Sequence, residues 1–247
     1  MKLTVIGSGD AFGSGGRLQT CFHVTTADKS FLIDCGATSL IGMNGLELDP
    51  NAVGTIFISH LHGDHFAGLV WWLLHAQHVS HRTTPLTIVG PHGIADRYRT
   101  AAEALFPGAT AKEPRYALEW REFAERTPVT INGITATPYP VRHPSGAPSY
   151  GLRIECDGKT IGFSGDTEWV EALVEVASGA DLYITECYGY EDPARFHMNW
   201  RVIEENLERI TAHRIMLTHM SCPMLRHADS IETPHVLIST DGLVLDL

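Results

Sequence analysis

Apolar residues in this chain fall mostly into short runs set off by glycine, proline and charged positions. Leu3-Thr-Val-Ile-Gly, Ser30-Phe-Leu-Ile-Asp-Cys, Thr55-Ile-Phe-Ile-Ser59 and Leu86-Thr-Ile-Val-Gly are rich in β-branched and aromatic residues. They are too short for helices and read as strands. Further strands are expected at 17–26, 134–141, 150–156, 160–164, 182–186, 214–218 and 236–247. Longer mixed segments at 66–79, 93–106, 168–178 and 199–211 read as helices. Strands come first in groups and helices interleave later, which favours an α+β layered sandwich over a strict parallel array. The sequence displays no internal repeat, low-complexity stretch or linker, so one domain spanning 1–247 is expected. The proline-rich stretch 138–148 reads as an active-site loop.

Composition narrows the setting. The 247 residues are 44% hydrophobic and 19% charged, enough to bury a sizeable core without disulfides. Five cysteines, Cys21, Cys35, Cys156, Cys187 and Cys222, are odd in number and scattered, with no Cys-x-x-Cys pair. That argues against a disulfide frame or a structural zinc knuckle and makes a reducing cytoplasm the expected compartment. The first apolar run is too short for a signal peptide, and no stretch reaches the length of a membrane span. A net charge of −11 argues against a broad surface tracking long nucleic acid, while leaving room for a locally positive pocket.

The chemistry is concentrated where the strand at 55–59 gives way to a helix. His60-Leu-His62-Gly-Asp64-His65 places four metal-capable side chains in six residues. His60 and His62 point the same way because Leu61 takes the other face. Asp64 and His65 are displaced towards a second position, so the turn suits two ions with nitrogen and oxygen ligands. Later strands end similarly: His143 follows the strand at 134–141, Asp166 the one at 160–164, and His219 the one at 214–218. Strand ends on one rim of a sheet can converge on one site. Gly7, Gly9 and Gly13 nearly form a dinucleotide fingerprint, but the last spacing is one residue too long and no helix follows. A tight loop near the site is expected there.

Taken together, His60, His62, Asp64 and His65, then His143, Asp166 and His219, resemble the metallo-β-lactamase fold superfamily over essentially the whole chain. Phe31-Leu-Ile-Asp34-Cys-Gly is similar to that family's Leu-Ile-Asp-x-Gly strand. The resemblance implies a four-layer αββα sandwich with a binuclear site on one edge. It implies one divalent metal on His60, His62 and His143, and another on Asp64, His65 and His219, with Asp166 bridging. Zinc is the expected metal, with Mn2+ or Fe2+ as alternatives. Asp34 is expected to support the site, not to bind metal. The tail Ile215-Met-Leu-Thr-His219-Met-Ser resembles the last motif of the ribonuclease Z branch and of the related phosphoribosyl cyclic phosphate phosphodiesterases. In those relatives a carboxylate and a histidine, at positions matching Glu186 and His197, assist phosphodiester cleavage. Two departures are visible. Between His143 and Asp166 there is room only for a loop and a hairpin around Asp157-Gly158, not for the long arm with which ribonuclease Z grips transfer RNA. The cysteine-rich zinc site of the bacterial cyclic phosphate branch is missing as well.

On this reading the chain is a metallohydrolase with Asp64, Glu186 and His197 as candidate catalytic residues. Two divalent ions, two carboxylates and a bridging hydroxide leave about one net positive charge, which a phosphodiester monoanion neutralises. Attack by the hydroxide on a small or cyclic phosphodiester is the expected reaction, with His197, oriented by Glu186, stabilising charge or protonating the leaving group. The alternatives are hydrolysis of a lactone, thioester or β-lactam at the same site, and RNA 3′ processing like that of ribonuclease Z. A non-catalytic metal-binding role and di-iron redox chemistry rank below them. His75, His78 and His81 read as a surface stripe and Cys222 as structural. Trp71 and Trp72 are expected in the core or at an interface, leaving a homodimer open.

Overall fold

Period-two alternation puts two sheets face to face and helices outside them. The computed structural model describes residues 1–192 and 194–247. The first half of the chain forms β1 (Lys2–Gly7), β2 (Cys21–Thr25), β3 (Ser30–Ile33), α1 (Ser39–Gly45) and β4 (Thr55–Phe57). It continues through α2 (Gly63–Phe66), α3 (Gly68–His78), β5 (Leu86–Gly90), α4 (Ile94–Leu105) and β6 (Leu118–Glu122). The second half forms β7 (Val129–Ile131), β8 (Ile134–Pro140), β9 (Tyr150–Cys156), β10 (Lys159–Phe163), α5 (Ala172–Ala177) and β11 (Leu182–Glu186). It ends with α6 (Trp200–Glu205), β12 (Ile215–Thr218), α7 (Cys222–Leu225), β13 (Val236–Ile238) and β14 (Val244–Asp246). One seven-stranded sheet has the order β14-β1-β2-β3-β4-β5-β6, the other β13-β12-β11-β10-β9-β8-β7.

Phe31 and Ile33 of β3 meet Leu182 and Ile184 of β11 in the core between the sheets. Leu32, between the first two, packs instead with Leu69, Trp72 and Leu73 of α3. Tyr183 packs with Leu173 and Val176 of α5 and Ile203 of α6. Three apolar interfaces therefore separate four layers, the expected αββα sandwich.

Both sheets run through the same succession of pairings. In the first, β14-β1-β2-β3 pair antiparallel and β3-β4-β5-β6 parallel. In the second, β7-β8-β9-β10 pair antiparallel and β10-β11-β12-β13 parallel. This is a structural repeat that the amino-acid sequence does not display.

Several elements differ from expectation, each for a local reason. The stretch 236–247 is not one strand: β13 joins β12, and β14 crosses to β1 in the other sheet. The break falls at Asp241-Gly242, where the Asp241 carboxylate accepts from Ser8 N, Ser8 Oγ and Leu18 N. The helix expected at 66–79 begins earlier, at Gly63, and is interrupted at Ala67 because Gly68 N donates to Cys35 O outside the helix. The helices expected at 168–178 and 199–211 shorten to α5 and to α6 with a 3-10 turn after it. α1 and the half-exposed, charge-rich edge strand β6 lack the apolar periodicity that would have announced them. Pro138 and Pro140 lie in β8 beyond the reach of β7, where a missing N–H interrupts no pairing on that side. Trp72 is buried and Trp71 is on the surface, edge-on to Phe106. Among the described residues no helix is long and apolar enough to cross a membrane.

Candidate metal centre

Strand ends carry the site. His60, His62, Asp64 and His65 occupy the turn from β4 into α2. His143 follows β8, Asp166 follows β10, Glu186 ends β11 and His219 follows β12. The side chains converge from these separate elements. One ligand-forming atom from each of His60, His62 and His143 lies within 4.8 Å of the others, and the same holds for Asp64, His65, Asp166 and His219. Asp166 stands between the two groups. Its Oδ1 is 3.3 Å from His65 Nε2, and its Oδ2 is 3.4 Å from His219 Nε2. The same Oδ2 lies 3.8 Å from Nε2 of both His60 and His143. His62 Nδ1 is 2.9 Å from His143 Nε2, and Asp64 Oδ2 is 3.1 Å from His219 Nε2.

These residues fit divalent ions. His60 Nε2 and His65 Nε2 are buried without a hydrogen-bond partner, although buried polar atoms are nearly always satisfied. Their opposite ring nitrogens are engaged. His65 Nδ1 is 2.7 Å from Asp34 Oδ2, and His60 Nδ1 is 3.1 Å from Ser59 Oγ. His143 Nδ1 donates to Phe196 O at 3.0 Å. Partners of this kind choose which imidazole nitrogen is left to face an ion.

Asp34 takes the supporting place expected of it. Buried and left-handed at φ 57°, it accepts from Ser59 N at 2.7 Å and Ser59 Oγ at 2.8 Å besides His65. Gly36 follows because a Cβ there would lie 2.3 Å from Asp64 O. That contact is the physical content of the Leu-Ile-Asp-x-Gly pattern. Asp34→Ala is expected to weaken metal binding by roughly 10–100-fold, the usual effect of losing a ligand's own partner. Titration against a competing chelator measures this, and unchanged affinity would remove Asp34 from the site.

Charge divides the two groups. Burial pushes His143 down to about 4, and burial likewise holds His60 and His62 below the ordinary histidine range. Burial there favours the neutral imidazole, the form that binds metal. In the other group burial disfavours the charged forms, but mutual attraction outweighs it. Asp64 and Asp166 are held below the usual carboxylate range by His65 and His219. His219 is raised to about 9 and His65 well above its ordinary value by the carboxylates. Positive charge is thus favoured in this group.

Glu186 and His197 form a neighbouring pair. Glu186 is fully buried, its Oε1 accepting from Thr167 N at 2.6 Å and its Oε2 from Met198 N at 3.3 Å. Both oxygens face His197 Nδ1, at 3.1 and 3.2 Å. Burial raises Glu186, and Glu186 in turn raises His197 against its own burial. A ring nitrogen of His197 comes within 4.8 Å of ligand atoms of His143 and Asp166. The ring packs against both Tyr188, centroids 4.9 Å apart at 29°, and His219, 5.6 Å apart at 14°. Tyr188 and Phe196 were missed in the sequence. Tyr188 lies two residues after Glu186, a usable signal, whereas Phe196 acts through a backbone carbonyl and leaves none. Among the described residues His75, His78, His81 and Cys222 join no ligand group, and Cys222 is exposed.

Residues 1–237 match the family model described as Anti-Pycsar protein Apyc1. The chain belongs to that family. It is also similar to the ribonuclease Z of Anoxybacillus flavithermus (strain DSM 21510 / WK1), 25% identical over 306 residues that cover 98% of this chain and 96% of the relative. Among solved structures, the metallo-β-lactamase fold protein YhfI from Bacillus subtilis matches with a TM-score of 0.79 and 23% identity over 99% of both chains. A diphosphatase from the PhnP family also gives 0.79, at 18% identity, covering 100% of this chain and 97% of that one. The chain thus has the metallo-β-lactamase fold and is similar to ribonuclease Z, as its motifs imply.

Proposed function

We propose that this metal-dependent hydrolase is a binuclear phosphodiesterase acting on a small or cyclic phosphodiester. His60, His62 and His143 would hold one divalent ion, Asp64, His65 and His219 the other, with Asp166 shared; zinc suits this donor set best, with manganese or iron as alternatives. Bound there, such ions supply an activated water and polarise the phosphoryl oxygens. The chain's own residues do the rest. The carboxylates of Asp64 and Asp166 set the charge of the site, so that a monoanionic ester fits it. Glu186 holds the His197 ring by Nδ1, which leaves Nε2 to meet the substrate. His197 then stabilises charge developing on phosphorus or delivers a proton to the leaving oxygen.

The observation that carries this reading is the Glu186–His197 pair beside the ligand cluster, matching the carboxylate and histidine that the resemblance assigns to phosphodiester cleavage. Family membership adds a role directed against Pycsar. RNA 3′ processing, the alternative that the resemblance to ribonuclease Z implies, is the second reading. Against it stands the tight connection of β9 to β10, where Asp157 at φ 49° and Gly158 at φ 76° turn the chain in two residues. No arm leaves the protein between His143 and Asp166. The metal-loaded protein is therefore expected to cleave cyclic phosphates and nucleotide phosphodiesters far faster than lactones or precursor transfer RNA. A parallel hydrolysis screen tests this. Tight, salt-sensitive transfer-RNA binding followed by efficient 3′ cleavage would transfer the assignment to RNA processing.

A further inference from the structure

The turn that carries His197 also holds His143, and Phe196 joins the two. His197 N donates to Ala194 O at 3.1 Å, closing a four-residue turn with Phe196 in its third position. Phe196 has φ 65°, in the left-handed region that turns of this kind ordinarily fill with glycine or asparagine. Its half-buried ring lies 4.6 Å from the exposed Arg195 guanidinium, a surface contact that does not by itself call for this backbone.

The consequence lies at the carbonyl. Phe196 O is 3.0 Å from His143 Nδ1, and a carbonyl only accepts, so Nδ1 carries the hydrogen and Nε2 the lone pair. That Nε2 faces His62 Nδ1 and Asp166 Oδ2. One residue further along, His197 Nδ1 is taken by Glu186, and Met198 N donates to the same carboxylate. The base of the loop is tied down too. Tyr188 N and Gly189 N donate to Met198 O, and the Asn199 amide donates to Glu191 O while its Oδ1 caps α6. The peptide at Phe196 is held on both sides, with little freedom to adjust.

We infer that Phe196 is a positioning residue whose left-handed backbone sets the His143 tautomer and the aim of His197 together. The inference rests on the proposed assignment of His143 as a ligand, and the role belongs to the backbone, not to the ring. It follows that residues tolerating positive φ can replace Phe196, and β-branched ones cannot.

The test measures zinc affinity by competition with a chromophoric chelator, on variants whose circular dichroism matches the parent protein. Phe196→Gly and Phe196→Asn are expected to bind both zinc ions nearly as the parent does. Phe196→Val is expected to bind one of them roughly 10–100-fold more weakly, and Phe196→Ala to fall between. Should the valine variant fail to fold, the ranking of alanine against glycine and asparagine carries the same information. Equal losses in the glycine and alanine or valine variants would overturn the inference, because they would assign the effect to the ring. Parent-like affinity in both Phe196→Val and Phe196→Ala would overturn it as well. His143→Ala is measured alongside. If it retains both zinc ions at full affinity, the ligand assignment itself fails. If it loses one while the Phe196 variants all match the parent, the inference about Phe196 fails alone.

Discussion

Asp166→Ala is expected to empty both metal positions at once and to abolish nearly all turnover. Among the described residues Asp166 is the one carboxylate that reaches histidines of both groups, at 3.3 to 3.8 Å. It is buried, and its carboxylate is what attracts protons, or cations in their place, to His65 and His219. Its removal should exceed the roughly 10–100-fold effect of losing a supporting residue such as Asp34. Elemental analysis after dialysis against zinc, together with turnover, provides the measurement. Circular dichroism serves as the control for folding, since removing one member of a buried charge cluster can destabilise by about 3–5 kcal/mol. Two zinc ions and normal turnover in Asp166→Ala would sink the shared-ligand assignment.

His197→Ala should separate chemistry from metal binding. His197 lies outside the two ligand groups proposed above, so this variant is expected to keep its fold and its metal content. Its kcat should fall by roughly 10²–10⁴, the range for a lost general acid or base, with a smaller change in KM. Leaving-group dependence then identifies the role. A nitrophenolate leaves without protonation, so a proton donor's loss should matter less on that ester than on an alkyl ester. Equal loss on both would assign His197 to charge stabilisation at phosphorus. Unchanged turnover on every substrate would return His197 to an ordinary loop histidine and remove most of the case for phosphodiesters over lactones.

The amino-acid sequence by itself determined most of the strands, and the candidate ligands that follow four of them. Residues 55–60 state their role directly, because a β-branched run must be buried and the polar residues after it must lie on the rim. The spacing of His60, His62, Asp64 and His65 is a local property, legible without any tertiary contact. The same reasoning placed His143, Asp166 and His219 at strand ends, and resemblance to a known family supplied their grouping. Local pattern also failed in predictable places. β6 is half exposed and charge-rich, and the tail divides between two sheets because Asp241 is claimed by Ser8 and Leu18 at the far end of the chain.

Only the tertiary structure decided what depends on distance through space. It joined two sheets with the same order of pairings, showed Asp166 reaching both groups, and brought Glu186 against His197. It revealed that the carbonyl of Phe196 holds His143 from 53 residues away. Side-chain identity and spacing are written along the chain, so ligands can be read there. Burial, tautomer and proton placement arise from neighbours that only folding assembles, and a backbone carbonyl is the same atom in every residue. That is why the candidate ligands could be named from the chain, whereas the carbonyl of Phe196 beside His143 could not.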